Sequence, residues 1–590
     1  MINNILQNVV LPASEHADRV SLYCRWPSGN IALANAKGEL NLTAGSVVDF
    51  TTFFNAFSHR KWHEATGIEH VCLHVCGRGA VRVLISSYSA TAAAIRVSEY
   101  EGELNASGIE VSVPSLSQIS GEMLSFLVIA LENSVIESVT WVTSENAKRD
   151  IRLAAVITTF QRETEIFAAM EKFSSKIIPR YKNSIHLFVV DNGSTLNVEN
   201  TEYLTIVSNK NLGGAGGFTR GFIEVKKRQG YTHVLFMDDD ASCEPESVWR
   251  AKTFLAYLND ERASVAGAML YTDMPSIQYE KGALMRLNGS GKAVWHAEHS
   301  GWDLSDIACV AANDLPGNLN YGGWWFFAFP INAVKHLPFP FFVRGDDVDF
   351  SLSNKLPIVT LNGIATWCEN FGYKLNPPTE YLASRSWMAL SFMHADSGAN
   401  KATFNLLLRN AYKMGMRFDY AGMHAVLDGV EHALLGPQFF ADKPSPIDVL
   451  TNQKKRNKLV KLTSDQFKYL VPISWRKKRQ KRLVLVLSVG GAFLPQRMVQ
   501  SVIMHAKIAW EAGTWTLIRV GAVAFGVGSE VYVYKRDSKE LRSGLKRILK
   551  LKIQYLRQRR VVKLNYQNNS AKYKTREYWE NVLDVRSDDK

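Results

Sequence analysis

Apolar positions follow two rhythms along this chain. The first stretch holds short runs broken by turn residues: Arg19-Val20-Ser21-Leu22-Tyr23-Cys24, Val71-Cys72-Leu73-His74-Val75, Ala80-Val81-Arg82-Val83-Leu84-Ile85 and Leu124-Ser125-Phe126-Leu127-Val128-Ile129. Their spacing and β-branched content predict an all-β module over residues 1–148, a sandwich or jelly roll. From about residue 149 strands alternate with helices. Leu153-Ala154-Ala155-Val156-Ile157-Thr158-Thr159-Phe160 reads as a buried strand, with a helical stretch after it. His186-Leu187-Phe188-Val189-Val190 is a second strand, stopping on Asp191-Asn192-Gly193, and Leu204-Thr205-Ile206-Val207 is a third. A glycine-rich turn leads into a helix expected over residues 218–229. The strand from Gly230 to Met237 then ends on Asp238-Asp239-Asp240. Such alternation predicts a multidomain α/β chain whose parallel sheet binds ligands beyond its strand C-termini, where the strand order reverses. This second module is expected over 149–395, and a helix-rich third over 396–590.

Charge adds a distinction that the apolar pattern hides. The formal net charge is +13, but residues 401–590 carry 37 Lys+Arg against 15 Asp+Glu, whereas residues 1–400 carry 32 against 41. A positive field confined to the last third calls for an anionic partner, a membrane surface or a nucleic acid. The run Arg476-Lys477-Lys478-Arg479-Gln480-Lys481-Arg482, and the basic stretch from Leu541 to Val562 with Leu, Ile and Tyr at helical spacing, read as interfacial amphipathic segments. The plain alternative is a helix with one solvated face packed on its own domain. Aromatics are not interleaved with the basic runs as single-strand binding requires, so nucleic acid is set aside. The 12-residue apolar run from Leu483 to Leu494 is too short to span a bilayer, and the stretch from Trp515 to Tyr534 contains Arg519 and Glu530. Six sparse cysteines without CxxC spacing, and no signal-like start, give the expectation of a reduced cytosolic protein.

Four constellations carry candidate chemistry. Three consecutive carboxylates at a strand end repel one another unless a cation intervenes, so Asp238 to Asp240 suits a hard divalent metal with oxygen ligands. An acidic turn before a helix is the bland alternative. Asn211-Leu212-Gly213-Gly214-Ala215-Gly216-Gly217-Phe218 permits close backbone approach to an anion at a helix start, and is neither a Walker loop nor a dinucleotide fingerprint. Tyr321-Gly322-Gly323-Trp324-Trp325-Phe326-Phe327 offers aromatic faces for a sugar ring; adjacent tryptophans on a strand would put one of the two toward the cleft. Arg344-Gly345-Asp346-Asp347-Val348-Asp349 is a second acidic cluster, fit to supply a general base, with helix capping near Val348 as the alternative.

In this order, and with the Phe53-Phe54-Asn55-Ala56-Phe57 and Trp62 block before them, these motifs resemble glycosyltransferase family 2, within it the polymerising galactofuranosyltransferases. Residues 1–395 carry the resemblance; the remainder shares only helical, basic character. It implies an N-terminal β-sandwich, a central A-type glycosyltransferase domain with a Rossmann-like mixed sheet, and a C-terminal helical domain. It implies inverting transfer of galactofuranose from UDP-galactofuranose to a lipid-linked glycan acceptor, and it allows a homo-oligomer. Phe160, Arg162, Asp191, Asn211 and Asp239 would hold the nucleotide. Asp238 and Asp240 would bind Mn²⁺ or Mg²⁺, Asp347 would be the general base, and Gly323, Trp324, Trp325, Asp346 and Trp367 would shape the sugar and acceptor pocket.

The chain departs from that pattern in two places. Cys368 stands where the resemblance expects a histidine as third metal ligand, and a thiolate suits neither Mg²⁺ nor Mn²⁺. Glu369, His394 or water are the alternatives. Ala383 stands where an active-site histidine is expected. Another nucleotide-sugar donor therefore stays open, as does an inactive carbohydrate-binding scaffold. The expected setting is the inner face of the cell membrane, reached through the basic last third.

Overall fold

A computed structural model of the chain describes residues 4–29, 33–181, 184–286, 288, 295–297, 299–371, 376–456, 460–462, 471–472, 500–506, 520–527 and 530–585. The run at 476–482 and the apolar segment at 483–494 lie outside the described residues, as does part of the stretch from Trp515 to Tyr534.

The first module is a nine-stranded antiparallel sheet folded about one long strand, Cys72–Tyr88. The first half of that strand pairs with Ser134–Thr143 and Ile109–Ser112; its second half pairs with Met123–Ala130 and Ile95–Leu104. One strand thus serves two layers, as a sandwich requires, and the alternating apolar positions face the core between them. Trp141 and Phe57 stack in that core. Trp62, fully buried, reaches out of it to Phe254 and Tyr257 of the next module. A single apolar cluster runs from Leu6 to Cys368, so the sandwich and the α/β module share their packing.

The α/β module is built on a seven-stranded mixed sheet. Its strands in chain order are β1 (Leu153–Thr159), β2 (Ile185–Asp191), β3 (Leu204–Ser208), β4 (His233–Asp238), β5 (Ser264–Ala266), β6 (Phe327–Pro330) and β7 (Ile358–Val359). Across the sheet the order is β3-β2-β1-β4-β6-β5-β7. The first four are parallel and β6 is antiparallel to both its neighbours. The chain winds outward from β1 to β3, then returns to place β4 on β1's other side. The reversal therefore falls between β1 and β4, where Thr158 pairs with Asp238, and the crevice beyond it is the site this topology offers a ligand.

Helix α1 (Gly213–Lys227) begins at the glycines, five residues earlier than the pattern predicts. The glycines serve chain-to-chain contact. A Cβ on Gly217 would lie 1.9 Å from Thr158 Oγ1, so only glycine lets α1 settle onto the ends of β1 and β2. Helix α2 (Asp346–Asn354) starts on the second acidic pair, with Gly345 in the left-handed region at its N-cap. Gly345 takes the N-cap position, and both acidic side chains fold back onto the local backbone, Asp347 accepting from the Val348 N–H at 2.8 Å.

Helix α3 (Pro377–His394) opens a helical layer that continues through Ser397–Met416 and Tyr420–Ala433. The long helix α4 (Ser538–Asn569) closes that layer, with Tyr555 stacked 3.9 Å from Phe404 and Tyr566 stacked on Phe392. The layer packs against Phe339 and Phe341, just ahead of the acidic pair. A final helix α5 (Arg576–Leu583) leaves it and buries Trp579 and Leu583 against α1 and the sheet. No described helix is long and apolar enough to cross a membrane.

Candidate active site

Three strand ends and one helix start meet at the reversal. β1 runs into Phe160, whose ring is 41% exposed, and then into Gln161 and Arg162. Arg162 Nη1 donates to Asp239 Oδ1 at 2.8 Å and lies 3.2 Å from Asp240 Oδ2. Thr159 Oγ1 donates to the other Asp239 oxygen at 2.8 Å. Burial raises the Asp239 carboxyl, with Arg162 and Thr159 opposing it. The triplet is thus partly neutralised by the protein's own cation, which the sequence pattern alone did not indicate.

Asp191, at the end of β2, is buried and accepts three backbone N–H groups: Gly193 at 2.9 Å, Thr195 at 2.6 Å and Leu196 at 2.7 Å. Its carboxylate shapes the turn behind the crevice. Asn211 Oδ1 accepts from the Gly213 N–H at 3.0 Å and fixes the entry to α1.

A cavity of about 400 Å³ opens beside these strand ends. Asp238, Gly214 and Phe218 form one wall, and Trp324 with Trp325 the floor. Arg344, Asp346 and Asp347 come from the α2 entry, Tyr279 and Glu280 from the strand Gln278–Glu280, and Glu380, Ala383 and Trp387 from α3. Both tryptophans line it. They sit in a turn ahead of β6, so the strand alternation that would have separated them does not apply. Trp325 Nε1 donates to the Gly267 carbonyl at 3.0 Å, and Gly323 lies flat against its ring. Trp324 packs edge-on against Phe218 and Phe236, and its buried Nε1 has no hydrogen-bond partner among the described residues.

Asp346 is buried and Asp347 half-buried, and the backbone leading to them is strained. Phe342, Arg344 and Gly345 take φ values of 76°, 70° and 88°, and two of these three are not glycine. A Cβ on Gly214 would stand 3.1 Å from Asp346 Oδ2, so the second glycine of α1 makes room for that carboxylate. Burial, then the charges of Asp347 and Asp238, push the Asp346 carboxyl well above its ordinary value. Asp347 is raised by burial to about 6, with the Val348 N–H and the Arg344 guanidinium pulling against it. That value suits a general base near neutral pH. The Arg344 guanidinium is held 4.6 Å over the Phe371 ring.

Two carboxyl groups of the cavity escaped the sequence reading. Glu280 is 1% exposed, and burial followed by the charge of Asp347 raises it to about 8. Its Oε2 has no hydrogen-bond partner among the described residues. Glu380 is raised to about 7 by burial and then Asp419. Neither belongs to an acidic run, so no local signal marks them.

Of the expected residues, Phe160, Arg162, Asp191, Asn211, Asp239, Asp240 and Gly323 are not among the cavity's lining, and Trp367 and Cys368 are engaged elsewhere. The Trp367 indole donates to the Pro275 carbonyl at 3.0 Å, with Phe54 on one side and Arg19 stacked 4.4 Å from its ring. It joins the sandwich to the α/β module. Cys368 is buried in the strand Ala365–Cys368, with Thr366 Oγ1 3.9 Å from its sulfur. His394 Nε2 is 2.7 Å from Asp349 Oδ1 and is occupied there. Among the described residues no group of three His, Cys, Asp or Glu side chains forms a metal-holding set. The donor set that remains, the carboxylates of Asp238 and Asp240, is hard and suits a cation completed by the phosphate oxygens of a substrate.

The family model described as galactofuranosyltransferase 2 N-terminal matches residues 6–144. The galactofuranosyltransferase GlfT2 of Mycobacterium tuberculosis is 27% identical over 473 residues, covering 74% of this chain and 73% of that protein. The Mycolicibacterium smegmatis galactofuranosyltransferase GlfT2 is 27% identical over 393 residues, 62% of this chain and 60% of the relative. Among solved structures, the mannosyltransferase PcManGT from Pyrobaculum calidifontis, in complex with GDP-Man and Mn²⁺, aligns with a TM-score of 0.26 at 11% identity, covering 53% of this chain and 85% of that one. The S. aureus TarS 1–349 structure aligns with a TM-score of 0.29 at 14% identity, covering 52% and 94%.

Proposed function

We propose that this chain, a glycosyltransferase similar to the mycobacterial galactofuranosyltransferases, transfers galactofuranose from UDP-galactofuranose to a growing lipid-linked glycan with inversion at the anomeric carbon. The observation that carries the reading is one cavity, at the sheet's reversal, lined by both Asp238 and the raised-pKa carboxylate Asp347.

The steps follow from the side chains. Phe160 offers a ring face to the base, and Arg162 supplies a cation beside the ribose and phosphates. Asp238 and Asp240 would hold a divalent cation, Mn²⁺ or Mg²⁺, which when bound offsets the charge of the departing diphosphate. Trp324 Nε1 and the protonated Glu280 are donors without partners, suited to sugar hydroxyls. Asp347 takes the proton of the acceptor hydroxyl. The freed oxygen forms a bond to the anomeric carbon from the face opposite the diphosphate, and the bond from that carbon to the diphosphate oxygen breaks. In-line attack from the opposite face inverts the centre.

The basic last third would hold the chain at the inner membrane face. Helix α4 supports this: Leu549, Ile553, Leu556 and Leu564 lie on one exposed face that also carries the exposed cations Lys546 and Arg560, with Lys550 and Arg557 beside it. The opposite face packs on its own domain, so the plain alternative holds for half of the helix.

Another nucleotide-sugar donor is the second reading. Ala383 lines the cavity where the resemblance expects a histidine, leaving space for a different sugar or acceptor. Purified protein with Mn²⁺, a short galactofuranosyl acceptor and a panel of UDP-sugars separates the two. Turnover of UDP-galactofuranose alone is expected. Turnover of UDP-galactopyranose in its place would transfer the assignment to the second reading, and turnover of no donor would overturn both.

A further inference from the structure

The last described residues, 570–585, leave the helical layer and return to the transferase module. Trp579, fully buried, donates its indole N–H to the Pro338 carbonyl at 2.8 Å, and the Leu337 N–H donates to the Lys574 carbonyl at 2.8 Å. Trp579 and Leu583 share a core with Phe222 of α1 and Phe350 of α2. At the far end Asp584 pairs with Lys210, which lies between Asn209 and Asn211 on the loop ahead of α1.

Lys574 makes the decisive contact. It is 5% exposed, and its Nζ reaches Asp349 Oδ1 at 2.5 Å and Ser353 Oγ at 2.9 Å. Asp349 is fully buried on α2, two residues beyond Asp347. His394 also meets Asp349 Oδ1, and the Phe339 N–H meets Oδ2 at 3.2 Å. Burial alone would raise the Asp349 carboxyl; Lys574 and His394 outweigh it and hold that carboxyl far below its usual range. Without Lys574 a buried carboxylate would lose its main countercharge, and α2 would have to shift to hydrate it. The start of α2 carries Asp346 and Asp347, with Asp346 fitted against Gly214.

We propose that residues 570–585 form a strap that holds the acidic helix in register with the donor crevice, with Lys574 as the positioning residue that sets Asp347 through Asp349. This rests on the reading of Asp347 as the base. The strap is formed by the chain's own C-terminal segment and touches both halves of the site, the acidic helix and the donor loop. Misplacing a base by about 1 Å is enough to cost up to roughly 100-fold in rate.

The test is Lys574→Met in the full chain, assayed on whichever donor the wild-type protein turns over, so wild-type turnover judges the base reading and the ratio of variant to wild type judges the strap. Expected is a fall in kcat of at least about tenfold, with donor KM and the calorimetric affinity for UDP within about twofold of wild type. Lys574→Arg should recover most of kcat, since the charge returns. Circular dichroism and thermal melting confirm the fold. A folded Lys574→Met variant with wild-type kcat, or one whose loss lies wholly in UDP affinity, overturns the proposal. If Lys574→Met does not fold, Ser353→Ala removes one of the two Lys574 Nζ hydrogen bonds together with the bond from Ser353 Oγ to Asp349 Oδ1 at 3.2 Å, and a kcat lowered at least about twofold at unchanged KM is expected; wild-type kinetics in Ser353→Ala would then overturn it.

Discussion

Replacing Glu280 with Gln removes a charge that the fold resists. Glu280 is 1% exposed, faces the charge of Asp347, and is raised from 4.5 to about 8. The folded protein therefore binds a proton that the unfolded chain has already released over the window from 4.5 to about 8. Stability must fall as pH rises through that window, because the folded state holds more protons. At about 1.4 kcal/mol per unit, ionisation of this group costs on the order of 4 kcal/mol at pH 8 and under about 1 kcal/mol at pH 5. Gln keeps the shape without the charge, so Glu280→Gln should be more stable than wild type, by an amount that grows with pH. For a cooperative unit of about 150–250 residues each kcal/mol moves Tm by about 2–4 °C, so the gain should reach at least about 5 °C at pH 8 and stay below about 3 °C at pH 5. Differential scanning calorimetry of both proteins across this range is the assay. Equal Tm values at pH 8, or a gain that does not vary with pH, would refute the reasoning.

Asp347 must be ionised to accept a proton, and burial raises it to about 6. The acid limb of kcat/KM should therefore rise with pH and be half complete near 6; a profile flat from about pH 5 to 7 would contradict this. Gly217→Ala sets a gain of about 1 kcal/mol in helix propensity against overpacking onto Thr158. The 1.9 Å approach makes the overpacking win, so a net loss of about 1–2 kcal/mol is expected by chemical denaturation, and a stabilised variant would sink the packing account of these glycines. Arg557→Glu together with Arg560→Glu on α4 should weaken co-sedimentation with vesicles containing phosphatidylglycerol at least tenfold, at about 1 kcal/mol per charge. Binding that ignores both the substitutions and added salt would rule out docking through this face.

Local signals carried the chain from sequence to the first layer of its site. Alternating apolar runs marked β1 to β4 within a residue or two, except that the last strand begins at His233. Asp238 at a strand end and Asp346–Asp347 at a helix start were legible because strand and helix termini leave a sequence signature. What was not legible depends on contacts between distant segments. Glu280 enters the cavity because Gln278–Glu280 pairs with Ala268–Tyr271 in a small side sheet, which no period in the sequence announces. Lys574 meets Asp349 across 225 residues. The glycines of α1 looked like a ligand cradle, yet most of the room they leave is taken by Thr158, Asp346 and Phe342. Trp367 looked like a pocket wall because a tryptophan on a short buried strand has the same pattern whether it faces a ligand or, as here, a neighbouring module.

The central claim is that Asp347 removes the acceptor's proton, and Asp347→Asn isolates it. Asn keeps the side-chain volume and the Val348 contact but cannot take up the proton. Transfer from UDP-galactofuranose by this variant should fall by roughly 10²–10⁴-fold, with UDP affinity in the presence of Mn²⁺ within a few-fold of wild type. Transfer at the wild-type rate would contradict the account.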